Sequence, residues 1–297
     1  MPAQIIDGKK LAEKIKDGIV EEIIKINLNR PAKKNDPIFP EKRPNLAIIL
    51  VGEREDSKLY VSLKEKEAKI VGIDTHIYRC PVNIPEKEIF DIIDCLNKDK
   101  LIDAILVQLP LPSGFNTNKI IKALDPKKDV DRFHPDNIKT LMSSCDYKML
   151  PPVPGTVLEI LKSINCGLTD KQVCLVINSD IFGKSLAKVL ECQGAKVKTI
   201  KANDKNLGEK TNKADILITA VGQPKLIKEE MVKKDAVVID VGITKIKEKI
   251  CGDVDFENVK KIASFITPVP GGVGPLTIAM LFRNTLELYK LKNKITK

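Results

Sequence analysis

Tyr60 and Lys64 stand four residues apart in the run Tyr60-Val61-Ser62-Leu63-Lys64. On a helix that spacing puts both side chains on one face. A tyrosine ring offers a flat surface to a planar ligand, and a lysine beside it becomes a proton carrier once burial lowers its pKa. Taken alone, the pair reads first as a solvated face and only second as a site. A second cluster is Val107-Gln108-Leu109-Pro110-Leu111-Pro112, where a glutamine closes an apolar run. Ligands of open α/β sheets bind beyond the carboxyl ends of strands, where Gln108 would both donate and accept. A polar strand-end cap is an equal reading. The third cluster is Asp129-Val130-Asp131-Arg132-Phe133-His134-Pro135. Two carboxylates at i and i+2 lack the further oxygen ligands of a calcium or magnesium loop. One carboxylate recognising a pair of ring N–H groups is the more economical use. The fourth is Thr267-Pro268-Val269-Pro270-Gly271-Gly272-Val273-Gly274-Pro275-Leu276-Thr277. Its glycines permit close backbone approach and it leads into a predicted helix N-terminus, which favours a ligand-contacting loop over a plain turn.

Such groups act only if a scaffold gathers them. Leu11, Ile15, Ile19 and Ile23 recur every four residues and predict an opening helix over 9–25. Residues 27–45 carry Pro31, Pro37, Pro40 and Pro44 among lysines and asparagines and read as a polar loop. Strand and helix then alternate. A continuous apolar strand over 46–51 is followed by a helix capped near Asp56 or Ser57 and stopped by Gly72. A strand over 74–80, a helix over 86–97 and a strand over 102–107 complete the first series. After the proline-rich 150–155 come strands over 173–177, 196–200, 215–220, 236–241 and 264–266, with a helix over 184–193 and a final one over 275–291. This alternation predicts βαβ units on parallel sheets in two α/β domains, with a boundary near Pro151 and the last helix returning to the first domain.

The composition narrows the function. The 297 residues are 43% hydrophobic, enough for a sizeable core and two ordinary domains. No apolar run approaches the roughly 20 residues of a membrane span. The N-terminal Met1-Pro2-Ala3-Gln4-Ile5-Ile6-Asp7-Gly8 lacks the apolar core of a secretory signal, so a cytoplasmic protein is expected. The seven cysteines are scattered, with no C-x-x-C pair, and the histidines are His76 and His134. Neither a metal site nor a disulfide framework is expected, and the cysteines read as buried free thiols. A net charge of +10 would suit a polyanion, but only 4% of residues are aromatic and no helix carries a dense basic block, which argues against nucleic acid. Lysine-rich composition alone also accounts for the charge.

In order and spacing, the four clusters resemble the signatures of the bifunctional methylenetetrahydrofolate dehydrogenase/methenyltetrahydrofolate cyclohydrolase family. That family has a Y-x-x-x-K helix, a V-Q-L-P-L-P strand end, a K-D-V-D-G-F-H-P segment and a T-P-V-P-G-G-V-G-P loop. Ile6-Asp7-Gly8-Lys9 and Val238-Ile239-Asp240-Val241-Gly242-Ile243 fit it as well. The resemblance spans all but 27–45. It implies a folate-binding catalytic domain over 1–150, with 275–297 packed back on it, a Rossmann-like domain over 151–274, and an active-site cleft between them. It implies Lys64 as the central catalytic residue with Gln108 positioning it, Tyr60 stacking on the folate and Asp131 holding the pterin. Val61, Ser62, Leu63, Val107, Leu109 and the backbone of Pro270, Gly271, Gly272, Val273 and Gly274 would complete the substrate site. Asn178, Ser179, Asp180, Gly183, Lys201, Ala202 and Ile243 would contact the dinucleotide, NADP with NAD as the alternative. It also implies tetrahydrofolate derivatives as substrates, no nucleic-acid or membrane partner, and a homodimer.

One segment departs from the family. Its G-R-S-x-x-V-G-x-P turn is here Asn178-Ser179-Asp180-Ile181-Phe182-Gly183-Lys184-Ser185, one residue shorter and without the first glycine and the arginine. Lys201-Ala202 stands where the family has His-Ser, and Arg132 where it has glycine. A cyclohydrolase with weak or lost dehydrogenase activity is therefore a second reading. A third is a P-loop-like nucleotide-binding protein, since Asn178 with Gly183-Lys184-Ser185 has Walker A spacing and 237–240 resembles a Walker B strand.

Overall fold

The computed structural model of the protein describes residues 2–29, 42–247 and 249–295. In chain order the elements are β1 (Gln4–Ile5), α1 (Gly8–Leu28), β2 (Asn45–Val51), α2 (Glu55–Val71), β3 (Asp74–Cys80), α3 (Glu86–Lys98) and β4 (Ala104–Val107). Then come α4 (Thr117–Ala123), α5 (Pro135–Ser143), α6 (Pro152–Ser163), β5 (Gln172–Ile177), α7 (Asp180–Glu191), β6 (Lys196–Ile200) and α8 (Leu207–Thr211). The chain closes with β7 (Ile216–Ala220), β8 (Val237–Asp240), β9 (Thr244–Ile246), β10 (Lys249–Cys251), α9 (Phe256–Val259), β11 (Phe265–Ile266) and α10 (Val273–Lys292). Among the described residues no helix is long and apolar enough to cross a membrane. Most of the proline-rich stretch, including Pro31, Pro37 and Pro40, lies outside the described residues.

One compact unit comprises Lys14–Thr140, Lys148–Pro151 and Leu281–Lys297 and contains a three-stranded parallel sheet, β3-β2-β4. The apolar run of β2 makes it the central strand: from Leu46 to Val51 no residue is more than 4% exposed, as a strand covered on both faces requires. Its neighbour α2 ends at Gly72, whose φ of 76° lets its N–H reach the carbonyls of Ala68 and Lys69. The helix begins two to three residues earlier than the expected cap at Asp56 or Ser57. Arg54 is the cap, while Asp56, already in the first turn, holds the Arg54 guanidinium and the Ser57 N–H. The end of α10 belongs to this unit: Asn284 donates to the carbonyls of Val130 and Leu150, and Lys290 pairs with Glu22.

The other unit comprises Met1–Glu13, Leu141–Tyr147 and Pro152–Met280. Its six-stranded sheet runs β1-β11-β8-β7-β5-β6, all parallel, with an antiparallel β9–β10 hairpin outside it. Here the structure departs from the expectation that 1–150 forms one domain. The N-terminal segment joins this sheet because Gln4 and Ile5 pair with Phe265 and Ile266. The proline-rich 150–155 is more than a boundary, since α6 starts at Pro152, where a helix tolerates a missing N–H.

The cysteines need the clearest correction. Cys145 and Cys192 form a disulfide, because the fold brings the loop after α5 to the C-terminal cap of α7 across 47 residues of sequence. No local spacing announces that pairing. Of the free thiols, Cys80 and Cys174 are buried, but Cys95 is exposed and Cys166 and Cys251 are partly so.

Candidate active site and dinucleotide site

In the three-stranded unit, α2 carries Tyr60 and Lys64 and the end of β4 carries Gln108. The Lys64 Nζ donates to Gln108 Oε1 at 2.7 Å. The other end of the carboxamide is fixed too, with Gln108 Nε2 donating to the Leu109 carbonyl at 2.7 Å and the backbone N–H to Ile49. Gln108 therefore presents an acceptor, not a donor, to the lysine. Burial lowers the Lys64 pKa, and the charge of Asp131 opposes that shift. Burial likewise pushes Asp131 up to about 7, against the pull of Lys64 and with the push of Asp129. Tyr60 is raised by burial and by Asp56. A lysine whose pKa is lowered by burial, beside a carboxyl group whose pKa is raised by burial, is a pair suited to moving a proton.

The two aspartates of the third cluster do different things. Asp129, 1% exposed, accepts from the N–H groups of Arg132 and His134 and from Asn137 Nδ2. It is the brace of the turn, and no hydrogen bond holds the Asp131 carboxylate among the described residues. Arg132 has φ 61°, the left-handed conformation that explains a glycine at this position in the family. Its guanidinium donates to the Pro126 carbonyl and feels Asp129 rather than pairing with Asp131. His134 is engaged through both ring nitrogens, with the Lys122 carbonyl and the Asp136 N–H.

The remaining substrate-site residues of this unit divide by helix geometry. Residues 60 to 64 go all the way round α2, so Val61 is sealed at 0% exposure and its side chain packs in the core, as does Val107 at 2%. Ser62 and Leu63 are exposed on other faces, and Leu109 packs against the core beside the cis peptide it forms with Pro110.

In the six-stranded unit, Pro270, Gly271 and Gly272 lead into α10, which holds Val273 and Gly274. Gly8 explains the N-terminal Asp-Gly-Lys: a Cβ there would lie 1.7 Å from the Gly272 carbonyl oxygen, so only glycine lets the backbones approach. The dinucleotide turn follows β5. Ser179 caps α7 by accepting from the Phe182 N–H, leaving first-turn N–H groups directed to the carboxyl edge of the sheet. Lys201, past the end of β6, donates to the Asn178 carbonyl and pairs with Asp180, lowering the aspartate's pKa. The negative charge at the turn is thereby neutralised from within. A Cβ on Gly183 would sit 3.5 Å from Thr199 Cγ2, so this glycine lets the helix pack closely on the strand. Ala202 follows Lys201 at the strand end, and Ile243 is 41% exposed. The turn fits a dinucleotide. It does not fit a P-loop: Ser185 is fully buried with its hydroxyl on the Ile181 carbonyl, and Asp240 is occupied by backbone N–H groups.

Sequence reasoning missed Asn137, which braces Asp129, and Asp253, which braces the loop after β7; Thr267, the first residue of the fourth cluster, accepts from the Asp240 N–H. Asp253 stands within Gly252-Asp253-Val254-Asp255, a glycine-aspartate step that was the available signal.

An open parallel sheet with a helix N-terminus at its carboxyl edge, together with a buried lysine–carboxamide pair in a second parallel unit, defines a two-unit α/β enzyme with a dinucleotide-type sheet. The chain belongs to the tetrahydrofolate dehydrogenase/cyclohydrolase family: the family's catalytic domain matches residues 6–131 and its NAD(P)-binding domain residues 151–293. The bifunctional protein FolD of Sulfurihydrogenibium sp. (strain YO3AOP1) is 47% identical over 289 residues, covering 97% of this chain and 98% of its own length. The crystal structure of the bifunctional enzyme FolD of Campylobacter jejuni superposes with a TM-score of 0.90 at 37% identity, over 99% of this chain and 100% of that one. That of the Trypanosoma brucei enzyme, complexed with NADP cofactor and inhibitor, gives 0.92 at 31% identity over 99% of each chain.

Proposed function

We propose that the three-stranded unit performs the folate chemistry on Lys64, Gln108, Tyr60 and Asp131, and that the six-stranded unit binds NADP through the turn 178–183 and Lys201. The reactions are oxidation of 5,10-methylenetetrahydrofolate to the 5,10-methenyl form and its hydrolysis to 10-formyltetrahydrofolate. When bound, NADP supplies the hydride acceptor. The chain's own groups do the rest. Lys64 Nζ carries the proton that hydrolysis must move, and Gln108 Oε1 fixes where that nitrogen points. The Asp131 carboxylate accepts from the pterin N–H groups, and the Tyr60 ring lies against the folate.

The observation that carries this reading is the 2.7 Å bond between Lys64 and Gln108 in a site that lowers the lysine's pKa. A relative solved with NADP supports the choice of cofactor. The test is a spectroscopic assay of each half-reaction, run with NADP and with NAD separately. Turnover in both halves, faster with NADP, is the expected result. Hydrolysis without oxidation would leave a cyclohydrolase alone.

A homodimer is part of the proposal. Leu59, Leu63 and Ile70 on α2 and Tyr78 on the edge strand β3 are exposed apolar residues of one unit, a composition suited to self-association. Sedimentation at several concentrations tests it, and a monomer throughout would remove it.

A further inference from the structure

At the carboxyl edge of the six-stranded sheet, two buried carboxylates are interlocked. Asp240 ends β8 and is 3% exposed; Asp253 follows the β9–β10 hairpin and is 0% exposed. Asp240 Oδ1 accepts from the N–H groups of Gly242 and Asp253 at 3.0 and 3.1 Å, and Oδ2 from that of Val254 at 2.9 Å. Asp253 Oδ2 accepts from the Thr219 hydroxyl at 2.9 Å and the Val221 N–H at 2.7 Å, and Oδ1 from the Gln223 N–H at 2.8 Å. Each carboxylate sits where a neighbouring residue has no side chain. A Cβ on Gly242 would lie 2.1 Å from the Asp253 carboxyl carbon, and one on Gly252 2.1 Å from Asp240 Oδ2. Burying two carboxylates this close costs free energy that a structural role alone could avoid with apolar residues.

What they hold gives the reason. The strand order β8-β7-β5-β6 reverses direction at β5 and β7, and in open α/β sheets ligands bind in the crevice at that switch point. Asp253 fixes the loop leaving β7 through Val221 and Gln223. Across the switch point, Asn178 Nδ2 donates to the Val221 carbonyl at 3.3 Å, joining the α7 turn to the same loop. Asp240 fixes the turn leaving β8, which bears Ile243. Its own N–H donates to Thr267 Oγ1 at 2.8 Å, at the root of the 267–274 loop.

We propose that Asp240 and Asp253 are positioning residues for the dinucleotide, locking the loops after β5, β7 and β8 into one rim and tying that rim to the 267–274 loop. The inference rests on the dinucleotide reading above. Neither side chain touches the ligand; each sets the backbone that does.

The experiment is calorimetric titration of the full chain with NADP, for the unaltered protein and for Asp253→Asn, Asp240→Asn and Thr219→Val, paired with steady-state oxidation kinetics. An asparagine turns an N–H donor toward one of the N–H groups its oxygen used to hold. Asp253→Asn and Asp240→Asn are expected to raise the NADP dissociation constant and KM about tenfold or more. The number of binding sites and kcat at saturating NADP should change far less. Thr219→Val keeps the core filled, removes one donor and should show the same split at about threefold. A merely structural role gives the reverse pattern, fewer competent sites with an unchanged dissociation constant, and that result overturns the proposal. If both aspartate variants fail to fold, an unchanged constant for Thr219→Val overturns it. If the unaltered chain binds no dinucleotide, the proposal falls with the reading beneath it; normal binding by folded variants sinks it alone.

Discussion

Asp131 in the three-stranded unit and Asp240 in the six-stranded one share a pKa pushed up to about 7, with burial as the leading cause in both. Their surroundings are opposite. Asp240 accepts three backbone N–H bonds and is raised further by Asp253. Asp131 accepts none among the described residues and faces a lysine. A perturbed carboxyl group therefore does not by itself mark the chemistry. Unused hydrogen-bonding capacity does: Asp131 is ready for a ligand, whereas Asp240 has spent its oxygens on the protein.

The largest effect expected on the reactive side of this contrast is that of Lys64→Met. Positioned proton transfer contributes about 10²–10⁴-fold, so cyclohydrolase turnover should fall by that order. Melting temperature should hold or rise, since a buried cation is replaced by an apolar chain of similar length. Near-normal turnover in a folded variant would take Lys64 out of the mechanism.

Asparagine substitutions at the two aspartates sharpen the contrast, because equal pKa values would suggest equal outcomes and the geometry says otherwise. For Asp131 the folded-state pKa lies above the unfolded value. Stability is thus full below about pH 4, declines as pH rises to about 7, and carries the complete cost of ionisation beyond that. Asp131→Asn cannot ionise, so relative to the unaltered protein it should gain roughly 1–4 kcal/mol between pH 4 and pH 8. Asp240→Asn escapes the same cost but leaves a buried N–H facing a donor, which offsets about 1–3 kcal/mol of it, so its gain at pH 8 should be smaller than that of Asp131→Asn by that amount. Urea unfolding at both pH values measures the two. An equal gain at pH 8 would break the distinction between an open and a saturated carboxylate.

Ligand affinity gives a smaller test. Asp131→Ala removes a charge-assisted acceptor worth about 1.5–3 kcal/mol and should weaken folate binding about tenfold to a hundredfold. NADP affinity should stay nearly constant, since no dinucleotide residue depends on Asp131. Equal losses for both ligands would make Asp131 another brace.

Much of this was legible in the sequence. Continuous apolar strands separated by amphipathic helices identified the parallel sheets, and β3 and β6 were placed to the residue. The helix period put Tyr60 beside Lys64 and the strand end marked Gln108, but only the family resemblance implied that Gln108 positions Lys64. What escaped depends on contacts between distant segments. β1 is two residues long and exists only because β11 offers it an edge. The Cys145–Cys192 bond joins a loop to a helix end. The ion pair of Lys201 with Asp180 joins residues 21 apart in sequence, and no local spacing showed it. Asp253 was not singled out, because its donors come from a loop some thirty residues earlier.

Arg132 provides the finest test of the brace formed by Asp129. At φ 61° a residue with a Cβ is strained by roughly 1–2 kcal/mol, which glycine would relieve. Against that, Arg132→Gly loses the guanidinium bond to the Pro126 carbonyl and the positive charge near Asp129, and it frees the unfolded chain. Asp129 keeps its bonds from the backbone N–H groups at 132 and 134 and from Asn137, none of which needs the arginine side chain. The opposing terms are of similar size, so the net change in unfolding free energy should stay within about 1 kcal/mol. Folate affinity should move less than twofold, because the turn that aims Asp131 is held by Asp129 and not by the guanidinium. Denaturant unfolding and folate titration of Arg132→Gly read both numbers. A loss of folate affinity approaching that of Asp131→Ala would show that the arginine itself orients the carboxylate, and would move it from the scaffold into the site.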